Sequence, residues 1–128
     1  MKQKIKPKKI LIIEDESMLL DALVEDFSDK GYIVIGCASA EIAFENMKVE
    51  LPDIILTDLV LPNIDGFEVI RYVKSNNQFS GIKVLVLSNS SELRNIEKAE
   101  ELGASGFLVK AEMSLKEILK RVEEEFEK

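Results

Sequence analysis

The chain has 128 residues, the length of one domain, and its 46% hydrophobic and 32% charged residues fit a soluble globular protein. Five lysines (Lys2, Lys4, Lys6, Lys8, Lys9) crowd the first nine positions; in the rest, 12 basic residues face 24 acids, a net −12 that repels a nucleic-acid backbone. The chain has no histidine and one cysteine, which excludes histidine triads, imidazole metal sites, phosphohistidine and an internal disulfide, and fits a reducing, cytoplasmic setting.

Residues 1–8 read as a basic, solvated tail and residues 9–128 as the domain. The four-residue apolar run after the tail is too short for a signal-peptide core or a membrane span. Residues 10–14 read as a buried strand ending on Glu14 and Asp15. Leu19, Leu20, Leu23, Val24 and Phe27 then follow helical spacing over 17–30, with Gly31 as the stop. Tyr32 to Cys37 is a strand rich in β-branched residues, with Cys37 as buried packing. Ala40, Ala43, Phe44 and Met47 mark a second helix, which Pro52 breaks. Residues 53–57 are the third strand and lead into Asp58.

A loop over 58–65 ends at Asp65, a good cap for a helix carrying Phe67, Ile70 and Val73. The fourth strand, 83–87, ends at Ser88. Ser90 or Ser91 opens a helix with a narrow apolar face (Leu93, Ile96, Ala99, Leu102), which predicts light packing, and Gly103 stops it. The fifth strand, 106–109, ends at Lys110. Ser114 to Glu117 fits a capping box for the last helix. Five β-α units with near-continuous apolar strands predict a parallel, doubly wound α/β sandwich with five helices.

In such a sheet the ends of the first, third, fourth and fifth strands share the carboxyl edge, where open α/β sheets bind ligands. Glu14, Asp15 and Asp58 would then repel one another unless a cation joined them. Hard oxygen donors suit Mg²⁺, with Mn²⁺ also possible. An aspartate can accept a phosphoryl group, and the Ser88 hydroxyl and the Lys110 ammonium could each take a phosphoryl oxygen. A flavin carrier fits poorly: Glu14-Asp15-Glu16 puts three acids where a flavin phosphate needs donors, and no glycine-rich phosphate loop is present.

Ile10 to Glu16, Asp58 to Gly66 with Pro62 and Asp65, Val86-Leu87-Ser88 and Gly106 to Lys110 together resemble the receiver domain of two-component response regulators, over residues 8–127. The resemblance implies a flavodoxin-like fold with strand order 2-1-3-4-5. It implies that Asp58 takes phosphate from a histidine kinase or a phosphotransfer protein. Mg²⁺ would sit on Glu14, Asp15, Asp58 and the backbone carbonyl of Val60. Ser88 and Lys110 would meet the phosphate, with no enzymatic activity beyond the chain's own phosphorylation and dephosphorylation. Ser88 and Phe107 would act as the switch for the surface of the fourth helix, fifth strand and fifth helix; plain core packing is the other reading of Phe107. Val60 and Ser90 match positions that tune dephosphorylation, and the apolar Val60 predicts slow loss of phosphate.

The chain departs from the family pattern at four places. Ala111 follows Lys110 where proline is usual, which predicts a trans bond and a rearranged loop. Asn89 replaces a small residue and narrows access to the phosphate. Glu14 stands for the commoner aspartate, its extra methylene favouring metal ligation through water. Ser88 lacks the methyl of threonine. The output is a downstream protein target or a separate output domain, with no direct contact to nucleic acid or membrane; the alternative is a phosphorylation-independent interaction module.

Overall fold

A computed structural model of the chain describes residues 6–128. Five strands, β1 (Lys9–Ile13), β2 (Ile33–Cys37), β3 (Ile54–Thr57), β4 (Lys83–Ser88) and β5 (Gly106–Val109), form one sheet. Its order is β2-β1-β3-β4-β5 and all neighbours run parallel, the architecture the sequence predicts. Between and after them run α1 (Ser17–Asp29), α2 (Ala40–Met47), α3 (Gly66–Ser75), α4 (Leu93–Leu102) and α5 (Leu115–Phe126). Lys9 belongs to β1 and pairs with Glu50; Lys6 and Lys8 are exposed, while Lys2 and Lys4 lie outside the described residues.

The strands are apolar on both faces because helices cover both. Leu11, Ile13, Ile55, Val84 and Val86 point to a core closed by α2, α3 and Ala99 of α4. Ile10, Ile12, Ile54, Leu56, Leu85 and Leu87 point the other way, to α1 and α5. The strand period of two sorts one continuous run into two cores. Cys37 is buried in the first, and burial pushes its thiol up to about 11.

Local chemistry sets most helix ends. Asp65 caps α3 through the Glu68 N–H, and Ser114 and Glu117 close a full capping box on α5. Gly31 takes φ 95°, a left-handed conformation that ends α1. Two expectations need correction. The second helix ends at Met47, ahead of Pro52, and the chain leaves it through a tight turn in which the Val49 N–H donates to the Asn46 carbonyl (3.1 Å). The fourth helix opens at Leu93, after Glu92, and neither Ser90 nor Ser91 caps it. The Ser90 hydroxyl accepts instead from the Glu92 N–H (3.4 Å) and the Asn95 side-chain amide (2.8 Å), a serine turn that delays the helix. As predicted, α4 packs lightly, with Ala99 its one buried residue.

Candidate functional site

The ladder hydrogen bonds continue one residue past the ends of β1 and β3. The Glu14 N–H donates to the Cys37 carbonyl (3.0 Å) and the Asp58 N–H to the Ile13 carbonyl (3.1 Å). Both acids are thereby fixed to the carboxyl edge of the sheet by backbone rather than by loop. Glu14 is 2% exposed and Asp58 7%, whereas Asp15, at the start of the turn into α1, is exposed. One carboxylate oxygen from each lies within 4.8 Å of the others, so Glu14, Asp15 and Asp58 converge as predicted.

Lys110 joins them from β5. Two strand spacings separate β5 from β3, roughly 9.6 Å, a gap that a long side chain crosses. Its ammonium lies 2.8 Å from Asp58 Oδ2 and 2.6 Å from Glu14 Oε1. The Lys110–Ala111 bond is trans and the chain turns through a 3₁₀ helix over Lys110–Glu112. The predicted rearrangement after the lysine therefore leaves its reach intact. Asp58 Oδ1 accepts from the N–H groups of Leu59 (2.7 Å) and Val60 (3.3 Å), so both carboxylate oxygens are held.

One ammonium cannot neutralise two buried carboxylates. Burial, aided by the charge of Asp58, holds the Glu14 carboxyl above the ordinary value despite Lys110 and the Glu16 N–H. Burial alone would lower the Lys110 ammonium, but its bonds to Asp58 and Glu14 outweigh this and raise it. Lys110 is charged throughout the physiological range, and the pocket keeps an excess of negative charge. Its donors are all hard oxygens, a set that fits Mg²⁺ or Mn²⁺.

The remaining expected residues ring this quartet. Ser88 is 1% exposed at the end of β4, and its hydroxyl accepts from the Ser90 N–H at 3.4 Å; no hydrogen bond joins it to Asp58 or Lys110. Phe107 is half-buried and packs against the core under α2, α3 and α4. The Val60 side chain is 74% exposed above the pocket, and Ser90 is tied to α4 through Asn95.

Gly66 is a positioning residue that the sequence reading left without a role. A Cβ there would strike the Asp58 carbonyl oxygen and lie 2.7 Å from Leu59 Cα. The Gly66 N–H also donates to the Leu59 carbonyl (2.9 Å). The start of α3 thus presses directly on the backbone that carries Asp58. The available signal was a glycine in the first turn of a helix, where propensity disfavours it.

A family model described as the response regulator receiver domain matches residues 10–123. The chain is 32% identical over 96 residues to sporulation initiation phosphotransferase F of Bacillus subtilis (strain 168), covering 75% of this chain and 76% of that protein. It is 31% identical over 103 residues to the alkaline phosphatase synthesis transcriptional regulatory protein PhoP of the same organism, covering 80% of this chain and 42% of the relative. The chain spans about half the length of the transcriptional regulators it matches. The chemotaxis protein CheY4 of Vibrio cholerae shares the fold, with a TM-score of 0.87 at 24% identity over 93% of this chain and 98% of that one.

Proposed function

Because this chain belongs to the response regulator receiver domain family, a signalling module rather than a catalytic enzyme, we propose that Asp58 is its phosphoryl acceptor. The donor would be a histidine kinase or a histidine phosphotransfer protein, and the receiver would be residues 9–128 behind the basic tail. The observation that carries this reading is the convergence of Glu14, Asp15 and Asp58 with Lys110 seated on Asp58.

In the reaction an Asp58 carboxylate oxygen attacks phosphorus, and the bond from phosphorus to the donor breaks with its electron pair leaving on the donor. Mg²⁺, or Mn²⁺, held by Glu14, Asp15, Asp58 and the Val60 carbonyl, would neutralise phosphoryl charge. The Leu59 and Val60 N–H groups fix the carboxylate, and Lys110 supplies a second cation. Ser88 would turn to the phosphoryl group and let Phe107 move inward, changing the face built from α4, β5 and α5. That face would meet a protein target or an output domain. No helix among the described residues is long and apolar enough to cross a membrane, and buried Cys37 suits a cytoplasmic protein.

Incubation with acetyl phosphate and Mg²⁺, read by intact mass, tests the reading. We expect one phosphoryl adduct on the native chain and none on Asp58→Asn. An unmodified native chain would instead favour a phosphorylation-independent interaction module. Exposed Val60 offers no polar group to orient water, and Ser90 is engaged with Asn95, so the adduct should decay slowly. Val60→Asn should speed that decay; equal lifetimes would remove Val60 from rate control.

A further inference from the structure

Among the described residues β2 is an edge strand, with β1 as its one neighbour. The Ile33 N–H donates to the Lys8 carbonyl and the Cys37 carbonyl accepts from the Glu14 N–H, so residues 33, 35 and 37 face β1. By the alternation of a parallel strand, the N–H and C=O groups of Val34 and Gly36 point outward to the open edge. The edge is not blunted: Ile33–Cys37 holds no charge and no proline, Gly36 is exposed and Ile33 is 40% exposed. Beside it, Leu20, Asp21, Val24 and Glu25 of α1 line a groove of about 360 Å³ with Gly36. Among the described residues neither Asp21 nor Glu25 has an ion pair. The site therefore fits an extended segment that supplies backbone partners and alternating cations.

The chain carries such a segment. Met1-Lys2-Gln3-Lys4-Ile5 alternates lysine with uncharged residues at the period of a strand. Strands β1 and β2 start at the same end of the sheet, so a segment turned back from Lys8 would run antiparallel to β2. The crossing from β1 to the outer edge of β2 covers two strand spacings, roughly 9.6 Å, and three extended residues reach about 10 Å. Lys6, Pro7 and Lys8 are exposed and lie outside any helix or strand, and Pro7 has no N–H to leave unpaired in the crossing. We propose that residues 1–5 pair with β2 of the same chain as a sixth, antiparallel strand. Directly opposite residues share a face, so lysines set opposite Val34 and Gly36 lie on the α1 side. Their stems cover Leu20 and Val24, and their ammonium groups meet Asp21 and Glu25. Met1 and Ile5 then fall on the face of Ile33.

Amide hydrogen exchange of the full chain, read residue by residue by NMR, tests this. The outward amides of Val34 and Gly36 should exchange at least about tenfold more slowly in the native chain than in a variant carrying Lys2→Glu, Lys4→Glu and Lys6→Glu. Adding Asp21→Lys and Glu25→Lys to that variant should restore slow exchange. The Ile35 amide, which faces β1, should be unchanged throughout and reports that the fold persists. Equal exchange of Val34 and Gly36 in the native chain and the lysine variant would overturn the proposal, and so would a charge reversal that restores nothing. If a charge variant does not fold, a nitroxide on Gln3→Cys decides the matter in a chain that keeps all its lysines. It should broaden the amide signals of Val24 and Gly36, and unbroadened signals would overturn the proposal. Pairing within one chain does not depend on concentration. Slow exchange that is lost on about tenfold dilution would put a second copy's segment on the edge and overturn it as well.

Discussion

The pocket floor and α4 are held in opposite ways. At the floor, both carboxylate oxygens of Asp58 and of Glu14 have donors, and Gly66 is packed against the Asp58 backbone. Helix α4 has no side-chain cap and one buried residue, Ala99. Besides these, Leu102 packs at the edge of the core, Asn95 bonds to Ser90, and Lys98 lies 4.3 Å from the centre of the Phe67 ring on α3. The difference is what a charge-driven switch requires. A rigid floor keeps the reacting carboxylate in place, and a lightly held neighbour can respond to small changes in free energy.

Four measurements would break or sharpen that contrast. The largest effect should follow Gly66→Ala, which forces a methyl into the Asp58–Leu59 backbone; we expect a loss of about 1–3 kcal/mol in urea unfolding and weakened phosphoryl acceptance. A stability within error of the native chain would show the floor to be pliant. Ala99→Gly, which removes the one buried side chain of α4, should cost about 1–2 kcal/mol. Asn95→Ala should change global stability by no more than about 0.5 kcal/mol while the amides of the first turn of α4 exchange faster. Unchanged exchange there would mean that the Ser90 contact does not hold the helix.

The subtlest effect is a slope with pH. Glu14 has a folded pKa above its unfolded value of 4.5, so the folded state binds the proton more tightly. Its contribution to stability is complete below pH 4.5 and is lost as pH rises through the raised folded pKa. In EDTA the native chain should therefore lose stability over that window relative to Glu14→Gln. Parallel curves for the two proteins would mean that Lys110 balances the floor in full.

Much of this architecture was legible because it depends on short-range rules. Continuous apolar runs bounded by Gly31, Gly103 and the Asp65 and Ser114 caps identify parallel strands and their crossover helices. Parallel order then puts Glu14, Asp58, Ser88 and Lys110 on one edge, as found. The start of α4 was not legible, because Ser90 can bond either as a cap or as a turn, and tertiary placement chose the turn. Nor was the Glu14–Lys110 pair, since it depends on side-chain reach across three strand spacings, from the end of β5 to the end of β1. The part played by Gly66 depends on how closely α3 approaches the Asp58 backbone, a distance that no local pattern encodes.

Cys37 has a practical consequence. The only thiol in the chain is sealed in the core and carries a raised pKa of about 11, so at neutral pH it should ignore maleimides and mild oxidants. A cysteine introduced at exposed Leu93 would then be the single reactive handle on the molecule. A fluorophore attached there would report motion of α4 without first deleting the native thiol.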